Sequence, residues 1–237
     1  MRASNRLAAE VLRATAQQVR PGVTTAALDA FAAGEMERCG ARSAFLGYRG
    51  FPGHICVSVN EEVVHGIPGP RVIRVGDIVS LDVGVVFEGF VGDTATTVAV
   101  GVADAEALRL IATAEDALMA AIAQARPGAR LSDVSHAVEQ AAGVAGYGVV
   151  RDFVGHGIGR RMHEEPQIPN FGPPGRGPRL EVGMTLAIEP MLTMGDWRVR
   201  VCPDGWTVVT ADGRWSAHVE HTIAVGERGA EILTVAP

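Results

Sequence analysis

Two aspartates lie inside apolar, alternating runs in the stretch VSLDVGVVFEGFVGDTA, residues 79–95. The alternation predicts two β-strands, and the turn near Phe87–Gly89 predicts that they form a hairpin. Such a hairpin places Asp82 and Asp93 opposite or nearly opposite each other, where cross-strand neighbours are about 4.5–5.5 Å apart. Two carboxylates at that distance repel each other unless a proton or a cation lies between them. Acidic residues are depleted from strands, so this pair is a candidate functional site.

An internal repeat connects this stretch with the second half of the chain. The sequence VRPG at 19–22 lies between two helical patterns, and ARPG at 125–128, 106 positions later, does so again. The same offset carries position 82 to 188, next to Glu189, and Glu220 is a second acid in the strand-like run that follows. Each acid alone also fits a buried ion pair or a turn. Four buried carboxylates together require cations, so the sequence predicts a dinuclear metal site.

The order of helices and strands predicts the fold class. Helices are predicted from about Asn5 (after the cap candidate Ser4) to Val19, from Thr24 or Thr25 to Cys39, from Asp104 to Arg126, and from Ser132 into the glycines at 143–148. Val-rich alternating runs predict strands at 55–59, 78–87, 90–100, 184–192, 197–201 and 215–225. The glycines and prolines at 169–178 predict an irregular loop. We therefore expect an α+β fold with one domain, residues 1–237, made of two similar halves, roughly 1–102 and 103–237.

Composition excludes several classes of function. All 21 basic residues are arginine, so lysine Schiff-base chemistry, a Walker-type lysine and a Ser–Lys dyad are excluded. The 27 acids leave a net charge of −6, which disfavours nucleic acid and membrane surfaces as partners. Three widely spaced cysteines (Cys39, Cys56 and Cys202) predict neither a disulfide framework nor a zinc site and suit a reducing cytoplasm. Neither a signal peptide nor a membrane span is expected.

Three histidines are candidates for the same chemistry. His156 lies in GHGIG, residues 155–159, where the glycines suit a tight exposed turn or a close backbone approach that brings an imidazole to the metal site. The segment is a poor match to the motif of a phosphate-binding loop. His163 begins HEEP, which differs from the zinc motif HExxH, and His65 precedes another turn. Each of these histidines alone also fits a structural role.

These motifs together resemble the type I methionine aminopeptidases of the pita-bread metallopeptidase family, over essentially the whole chain. The motifs are LGY at 46–48, NEEVVHGIP at 60–68, the Asp82 and Asp93 pair, GHGIG at 155–159, HEEPQIPN at 163–170, IEPM at 188–191 and EHT at 220–222. The resemblance implies two pseudo-symmetric helix–helix–sheet halves around a central antiparallel sheet with a dinuclear metal centre. It also implies an enzyme that removes the N-terminal methionine from nascent proteins and peptides when the second residue is small.

The resemblance assigns roles to individual residues. The implied metal ligands are Asp82, Asp93, His156, Glu189 and Glu220. The implied catalytic residues are Glu189 as proton shuttle, His163 at the developing oxyanion and His65 at the scissile amide. The implied substrate-binding residues are Tyr48, Phe51, Cys56, His65, Met162, His163 and Trp206. The family commonly has an aromatic residue at the position of Met162 and a smaller one at that of Phe45, so the pocket shape is expected to differ.

The resemblance also indicates the cofactors and partners, and two rival functions are considered beside it. The cofactors are expected to be two divalent ions, and the ligand types do not choose among Mn, Fe, Co and Zn. We expect a cytoplasmic monomer that acts on nascent chains. The arginines at 160, 161, 176 and 179 fit a transient ribosome contact or, preferably, a solvated rim. The rivals are a proline-directed aminopeptidase P or prolidase, which usually carries a large N-terminal domain, and a non-catalytic pita-bread binding module, which generally lacks metal ligands.

Overall fold

The computed structural model of the protein describes residues 1–101 and 104–236. The predicted boundary between the halves, at 102 and 103, lies outside the described residues. The helices are α1 (Arg2–Ala16), α2 (Thr25–Arg38), α3 (Ala105–Gln124) and α4 (Leu131–Ala145), with a short 3-10 turn at Tyr48–Gly50. The strands are β1 (Arg42–Ser43), β2 (Cys56–Val59), β3 (Glu62–Val64), β4 (Ile78–Phe87), β5 (Phe90–Ala99), β6 (Gly148–Val149), β7 (Gly155–Gly157), β8 (Glu164–Ile168), β9 (Thr185–Ile188), β10 (Met191–Thr193), β11 (Val199–Val201), β12 (Val208–Thr210), β13 (Ser216–His218), β14 (Glu220–Gly226) and β15 (Gly229–Ile232).

Three of the four helices lie where the sequence predicts them. The Thr24 side chain caps α2, and the Asp104 side chain caps α3. The prediction for α1 is wrong by about one turn, because Ser4 lies inside the helix and does not cap it. The buried Ser4 hydroxyl donates to the carbonyl of Met1 (2.9 Å) and to that of Val91 (3.3 Å). The second hydrogen bond joins α1 to β5.

The strand predictions are confirmed for the central hairpin and need correction elsewhere. β4 and β5 pair along their whole length, and the turn residues Glu88 and Gly89 have φ of 50° and 77°, as a two-residue hairpin turn requires. The predicted strand at 184–192 is two strands, since Pro190 cannot donate a ladder hydrogen bond and the chain changes sheets there. The run at 215–225 is likewise divided at Val219. Both divisions lie next to predicted metal ligands.

The main sheet has nine strands and contains both halves. Its order is β1-β4-β5-β14-β9-β7-β8, with β2 also paired to β4 and β15 to β14, and the pairs are antiparallel. Two three-stranded sheets, β13-β10-β6 and β11-β12-β3, flank it. The halves meet where β5 pairs with β14 in this sheet and where β3 pairs with β12 in one of the small sheets.

Each half has a hydrophobic core of its own. One core lies under α1 and α2 and is drawn from residues 8–100, and the other contains the buried faces of α3 and α4. The repeat also recurs in detail, since isolated bridges join Thr24 to Val72 and Arg130 to Arg179 at equivalent points before α2 and α4. The expected α+β fold with two similar halves is confirmed. That these halves form one domain stays a prediction. No helix in the described ranges is long and apolar enough to cross a membrane.

Candidate metal centre and its cavity

The pairing of the central strands places three acidic side chains on one face of the sheet. Asp82 on β4 and Glu220 on β14 are both cross-strand partners of Ala95 on β5. Partners in an antiparallel pair share a face, and so do residues two apart on one strand. Asp93, two residues before Ala95, therefore projects to the same side as Asp82 and Glu220.

The next two strands add two more donors to this face. Thr222 on β14 pairs with Ala187 on β9, so continuing the same register brings Glu220 beside Glu189. His156 on β7 also pairs with Ala187, which places it on the face of Glu189. Across the sheet, β4, β5, β14, the residue that follows β9, and β7 thus supply one donor each, in the order Asp82, Asp93, Glu220, Glu189 and His156.

The donor atoms are close together and several lack a partner. Carboxylate oxygens of Asp82, Asp93 and Glu220 lie within 4.8 Å of one another. One oxygen of each (Oδ1, Oδ1 and Oε1) is buried without a hydrogen bond. His156 Nε2 is 3.8 Å from Asp93 Oδ2 and 3.6 Å from Glu189 Oε1, which is too far for a good hydrogen bond. Unpaired buried carboxylates are costly, and oxygen donors with one imidazole suit divalent cations, so these residues fit a metal centre.

Burial determines the electrostatics of the five donors. It raises the pKa of Asp82, Glu189 and Glu220 well above their usual values, and the neighbouring carboxylates raise these further. Burial also raises the pKa of Asp93 to about 7. Burial, and then His163, lower the pKa of His156 to about 4, so its imidazole is neutral at pH 7. Without a cation the acids therefore retain protons near neutral pH.

A cavity of about 220 Å³ opens above these donors. It brings together all the sequence-predicted ligands and substrate residues: Tyr48, Phe51, Cys56, His65, Asp82, Asp93, His156, Met162, His163, Glu189, Trp206 and Glu220. Phe51 and Trp206 meet edge to face with their ring centres 5.1 Å apart, and His65 lies across the Trp206 ring at 6.1 Å. The Tyr48 hydroxyl is 2.9 Å from His163 Nδ1. The cavity has an apolar wall, the imidazoles of His65 and His163 in its lining, and buried acids at its base.

Comparison with known proteins identifies the family of the chain. Residues 1–227 match the family described as Metallopeptidase family M24. The chain belongs to this family. The protein named Methionine aminopeptidase from Clostridium perfringens is 49% identical over 235 residues, which cover 99% of this chain and 94% of that protein. The crystal structure of methionine aminopeptidase from Thermotoga maritima superposes with a TM-score of 0.97 at 48% identity, over 99% of this chain and 94% of that one.

These comparisons confirm the resemblance to methionine aminopeptidases and the pita-bread fold. The chain is accordingly a metal-dependent peptidase. A prolidase from Pyrococcus furiosus covers all of this chain at a TM-score of 0.81, but it is 21% identical and only 63% of its own length is matched. That second likeness shows a shared fold and nothing about the substrate.

Of the two roles expected for the glycines around His156, the structure supports one and excludes the other. Gly155 and Gly157 lie in β7 and are buried, so an exposed turn is the wrong interpretation. The close backbone approach is confirmed, since a Cβ on Gly155 would meet the Ala187 carbonyl and one on Gly157 would meet the Glu165 carbonyl. Larger residues would separate β7 from its neighbours and move His156 away from the acids.

A third glycine shapes the wall of the M24 cavity. Gly84 is the cross-strand partner of Asp93 and lies beneath Phe45 and Met162. A Cβ there would clash with the Phe45 ring and lie 2.9 Å from Met162 Cε. The two residues expected to alter the pocket thus pack together over this position, and any side chain at Gly84 would displace them.

Three residues near the centre have no role in the sequence-based prediction. His218 is buried with its Nε2 3.7 Å from Glu189 Oε2 and without a hydrogen bond. The buried Asn170 side chain donates to the Glu189 carbonyl (2.9 Å). Arg49 lines the cavity. The alternation of side chains along a strand could have identified His218, which lies two residues before Glu220. Asn170 is in the irregular loop and Arg49 is in a turn, and side chains have no regular alternation there.

The raised acid pKa values predict how the metal-free M24 protein responds to pH. Above pH 7 an unfolded chain has released its carboxyl protons, while Asp93, with a pKa of about 7, and the other acids still hold some. The native state must lose these as pH rises, so its free energy of unfolding should fall, by about 1.4 kcal/mol per proton per pH unit. His156 opposes this only weakly, because an imidazole of usual pKa is already mostly neutral at pH 7 in the unfolded chain.

The measurement is thermal unfolding of chelator-treated protein at pH 7 and pH 8.5. We expect the melting temperature to fall by about 3 °C or more over this interval. The same scan with excess Mn(II) is the control, in which the fall should be smaller because the carboxylates are compensated. A melting temperature independent of pH without metal would contradict the shared-proton description of the site.

Proposed function

We propose that this chain removes the N-terminal methionine from peptides and nascent proteins whose second residue is small, using two divalent cations. Asp82, Asp93, His156, Glu189 and Glu220 would hold these cations. The observation that carries this proposal is the convergence of five donors, three with unpaired buried oxygens, at the base of one apolar cavity. The names of the relatives give the substrate. Mn, Fe, Co and Zn all suit the donors.

Glu189 is proposed to move the proton in the reaction. When bound, the cations supply Lewis acidity that lowers the pKa of water toward neutrality. The Glu189 carboxylate accepts the proton of the attacking water and returns it to the leaving amine. Its backbone is held by the Asn170 side chain on one side, and Pro190 follows it, so its position is fixed by the chain on both sides.

His163 and His65 are proposed to contact the reacting amide. Burial, and then the Arg49 guanidinium, lower the pKa of His163, so its imidazole is neutral at pH 7. If the Tyr48 hydroxyl donates to Nδ1, the proton is on Nε2, which can donate to the developing oxyanion. Burial, and then His163, lower the pKa of His65 to about 4, so His65 can also assist the leaving nitrogen as a neutral donor.

The cavity wall is proposed to bind the methionine side chain. Phe51 and Met162 are 3% and 6% exposed, and with Phe45 and Trp206 they form an apolar lining that suits a thioether. The free α-amine of the substrate would lie at the donor cluster at the base of the cavity. Recognition of that amine restricts cleavage to the end of a chain.

The deciding experiment compares two peptides after metal removal and reconstitution. Protein treated with chelator and then loaded with Mn(II) or Co(II) is given Met-Gly-Ser and Ala-Pro-Ser, and mass spectrometry reads the released residue. We expect release of methionine only, none in excess chelator, and none from N-acetylated Met-Gly-Ser, which lacks the free amine. Met-Trp-Ser should be cleaved far more slowly, because its second residue is large. Titration of the metal-free protein with Mn(II) should reach two equivalents.

Other outcomes of this experiment assign the chain differently. Cleavage of Ala-Pro-Ser alone would move it to the proline-directed branch of the fold. Tight metal binding without cleavage of either peptide would contradict the proposed substrate. Failure to bind metal would favour the binding-module alternative.

The proposed setting of the reaction is the cytoplasm, where the chain acts as a monomer on emerging polypeptides. The described cysteines are all unpaired, which agrees with a reducing compartment. Size-exclusion chromatography with light scattering tests the oligomeric state. Co-sedimentation with ribosomes at low and high salt tests whether the exposed arginines at 160, 161, 176 and 179 bind ribosomal RNA or remain solvated.

A further inference from the structure

A positively charged side chain lies at the opening of the cavity, away from the donors at its base. The base is formed by the four acids already described. Among the described residues that line this cavity, Arg49 is the single arginine, and it is exposed. Its guanidinium lies 5.4 Å from the centre of the Tyr48 ring. In the described parts of the chain its one recorded side-chain partner is that ring, and no carboxylate neutralises it.

The backbone of the turn holds Arg49 at this point. Arg49 has φ of 48°, between Gly47 at 79° and Gly50 at 89°, and a left-handed conformation is uncommon for an arginine. The turn is closed by hydrogen bonds from Gly47 N to Phe51 O (2.8 Å) and from Tyr48 N to Phe45 O (2.8 Å). The same turn therefore carries four residues that line the cavity, Phe45, Tyr48, Arg49 and Phe51, and its backbone fixes where the arginine side chain begins.

Arg49 is also close to the proposed reaction point. The Tyr48 ring contacts the guanidinium on one side, and its hydroxyl is 2.9 Å from His163 Nδ1 on the other. The Arg49 charge contributes to the lowered pKa of His163, second to burial. A peptide with its α-amine at the acidic base and its scissile carbonyl at His163 must leave the cavity through the opening where Arg49 lies.

We propose that Arg49 determines specificity beyond the scissile bond by favouring peptides that carry a carboxylate at the third or fourth residue. This inference rests on the proposed function. The Arg49 guanidinium has no carboxylate partner among the described residues, so it attracts a substrate carboxylate that lies near it at the opening. Because Arg49 is exposed, the preference is modest, about two- to fivefold in kcat/KM, and sensitive to salt.

The test is a competition between two C-terminally amidated peptides, Met-Gly-Asp-Ser and Met-Gly-Asn-Ser, at pH 7.5 with the Mn(II)-loaded enzyme. Variants are Arg49→Asn, since asparagine tolerates the left-handed backbone, and Arg49→Glu. Arg160→Asn is the matched control, because Arg160 is exposed, is stacked on the Phe90 ring at 4.4 Å, and does not line the cavity. Each variant's rate on the Asn peptide is its own reference for folding and metal content.

We expect the native enzyme and the Arg160 variant to prefer the Asp peptide, Arg49→Asn to show a ratio near one, and Arg49→Glu to prefer the Asn peptide. The native preference should shrink between about 0.02 M and 0.5 M salt. An Asp-to-Asn ratio unchanged across the Arg49 variants would overturn the inference and leave the proposed function intact. If the native enzyme cleaves neither peptide, the proposed function fails and the inference with it.

A terminal carboxylate offers the same chemistry, and a second pair of peptides separates it from a side chain. Free-acid and amidated Met-Gly-Ser differ only at the C-terminus. A preference for the free acid that disappears in Arg49→Asn would show that Arg49 also recognises the end of a short peptide. Equal rates, together with a preserved Asp preference, would assign the recognition to acidic side chains alone.

Discussion

Glu220→Gln should lower kcat/KM for Met-Gly-Ser by at least about 10³-fold. Loss of a residue that merely supports a metal ligand costs about 10- to 100-fold in affinity or activity, and a directly coordinating oxygen contributes more. The substituted amide is nearly isosteric but neutral, so the cavity keeps its shape while the centre loses one negative charge. Isothermal titration with Mn(II) should show weaker binding and fewer than two equivalents, and peptide cleavage measures the activity.

The same substitution should stabilise the metal-free protein. A variant that loses activity but gains stability is expected of a metal ligand, so the prediction is specific. Glu220 is 2% exposed, and its pKa is raised by burial and then by Asp93, Glu189 and Asp82, so its ionisation opposes folding. Removing it should raise the melting temperature in chelator at pH 8.5. Glu62→Gln is the matched control, because Glu62 is a partly buried acid with a raised pKa that pairs with Arg71 outside the cavity. Lower stability in chelator together with full activity would contradict the assignment of Glu220 as a metal ligand.

The strand-borne acids could be predicted because strand geometry has few alternatives. An acid inside a Val-rich run must project to one face, and the hairpin at 79–95 fixes which acids share that face. Asp82 and Asp93 are nonetheless diagonal neighbours, since Asp82 pairs with Ala95 and Asp93 with Gly84. The sequence could not distinguish this from direct pairing, because a change of one residue in the turn changes the register.

The junction between the halves shows what sequence patterns do not reveal. The Thr94 hydroxyl on β5 donates to the carbonyl of Glu220 (2.9 Å), and the Thr222 hydroxyl on β14 donates to the carbonyl of Asp93 (2.8 Å). Each threonine thus binds the backbone of the acid on the opposite strand, on the two sides of the pseudo-symmetry axis. A threonine in a strand is ordinary in sequence, and its partner is known only when the two strands meet.

The remaining errors share one physical cause. Ser4 was expected to cap a helix, but a contact more than eighty residues away, at Val91, decides what its hydroxyl binds. Pro190 and Val219 end strands whose sequences remain apolar, because the chain moves to a second sheet there. Local propensity is overridden by tertiary contacts at these positions. Two of the three adjoin proposed ligands, so the irregular backbone helps to place Glu189 and Glu220 at strand ends.

His163→Ala should lower kcat for Met-Gly-Ser by about 10²-fold while changing KM little. Removing one preorganised donor to an oxyanion costs about 10²- to 10³-fold in kcat, and the interaction exists mainly in the transition state. Tyr48→Phe should cost less, about tenfold, because it leaves the imidazole in place but removes the hydroxyl 2.9 Å from Nδ1, which, when it donates to Nδ1, leaves the ring proton on Nε2. Steady-state kinetics on both variants measure these effects.

The double variant tests whether Tyr48 acts through His163. If the phenol only orients the imidazole, Tyr48→Phe should have little further effect once His163 is alanine, so the two losses should not add. Tyr48→Phe should also alter the pH dependence of kcat, since the hydroxyl no longer restrains which ring nitrogen carries the proton. The control is His54→Ala, which removes an imidazole bound to Asp29 outside the cavity and should leave kcat unchanged. Full additivity would show that Tyr48 does not act through His163, and an unchanged kcat in His163→Ala would remove His163 from the oxyanion.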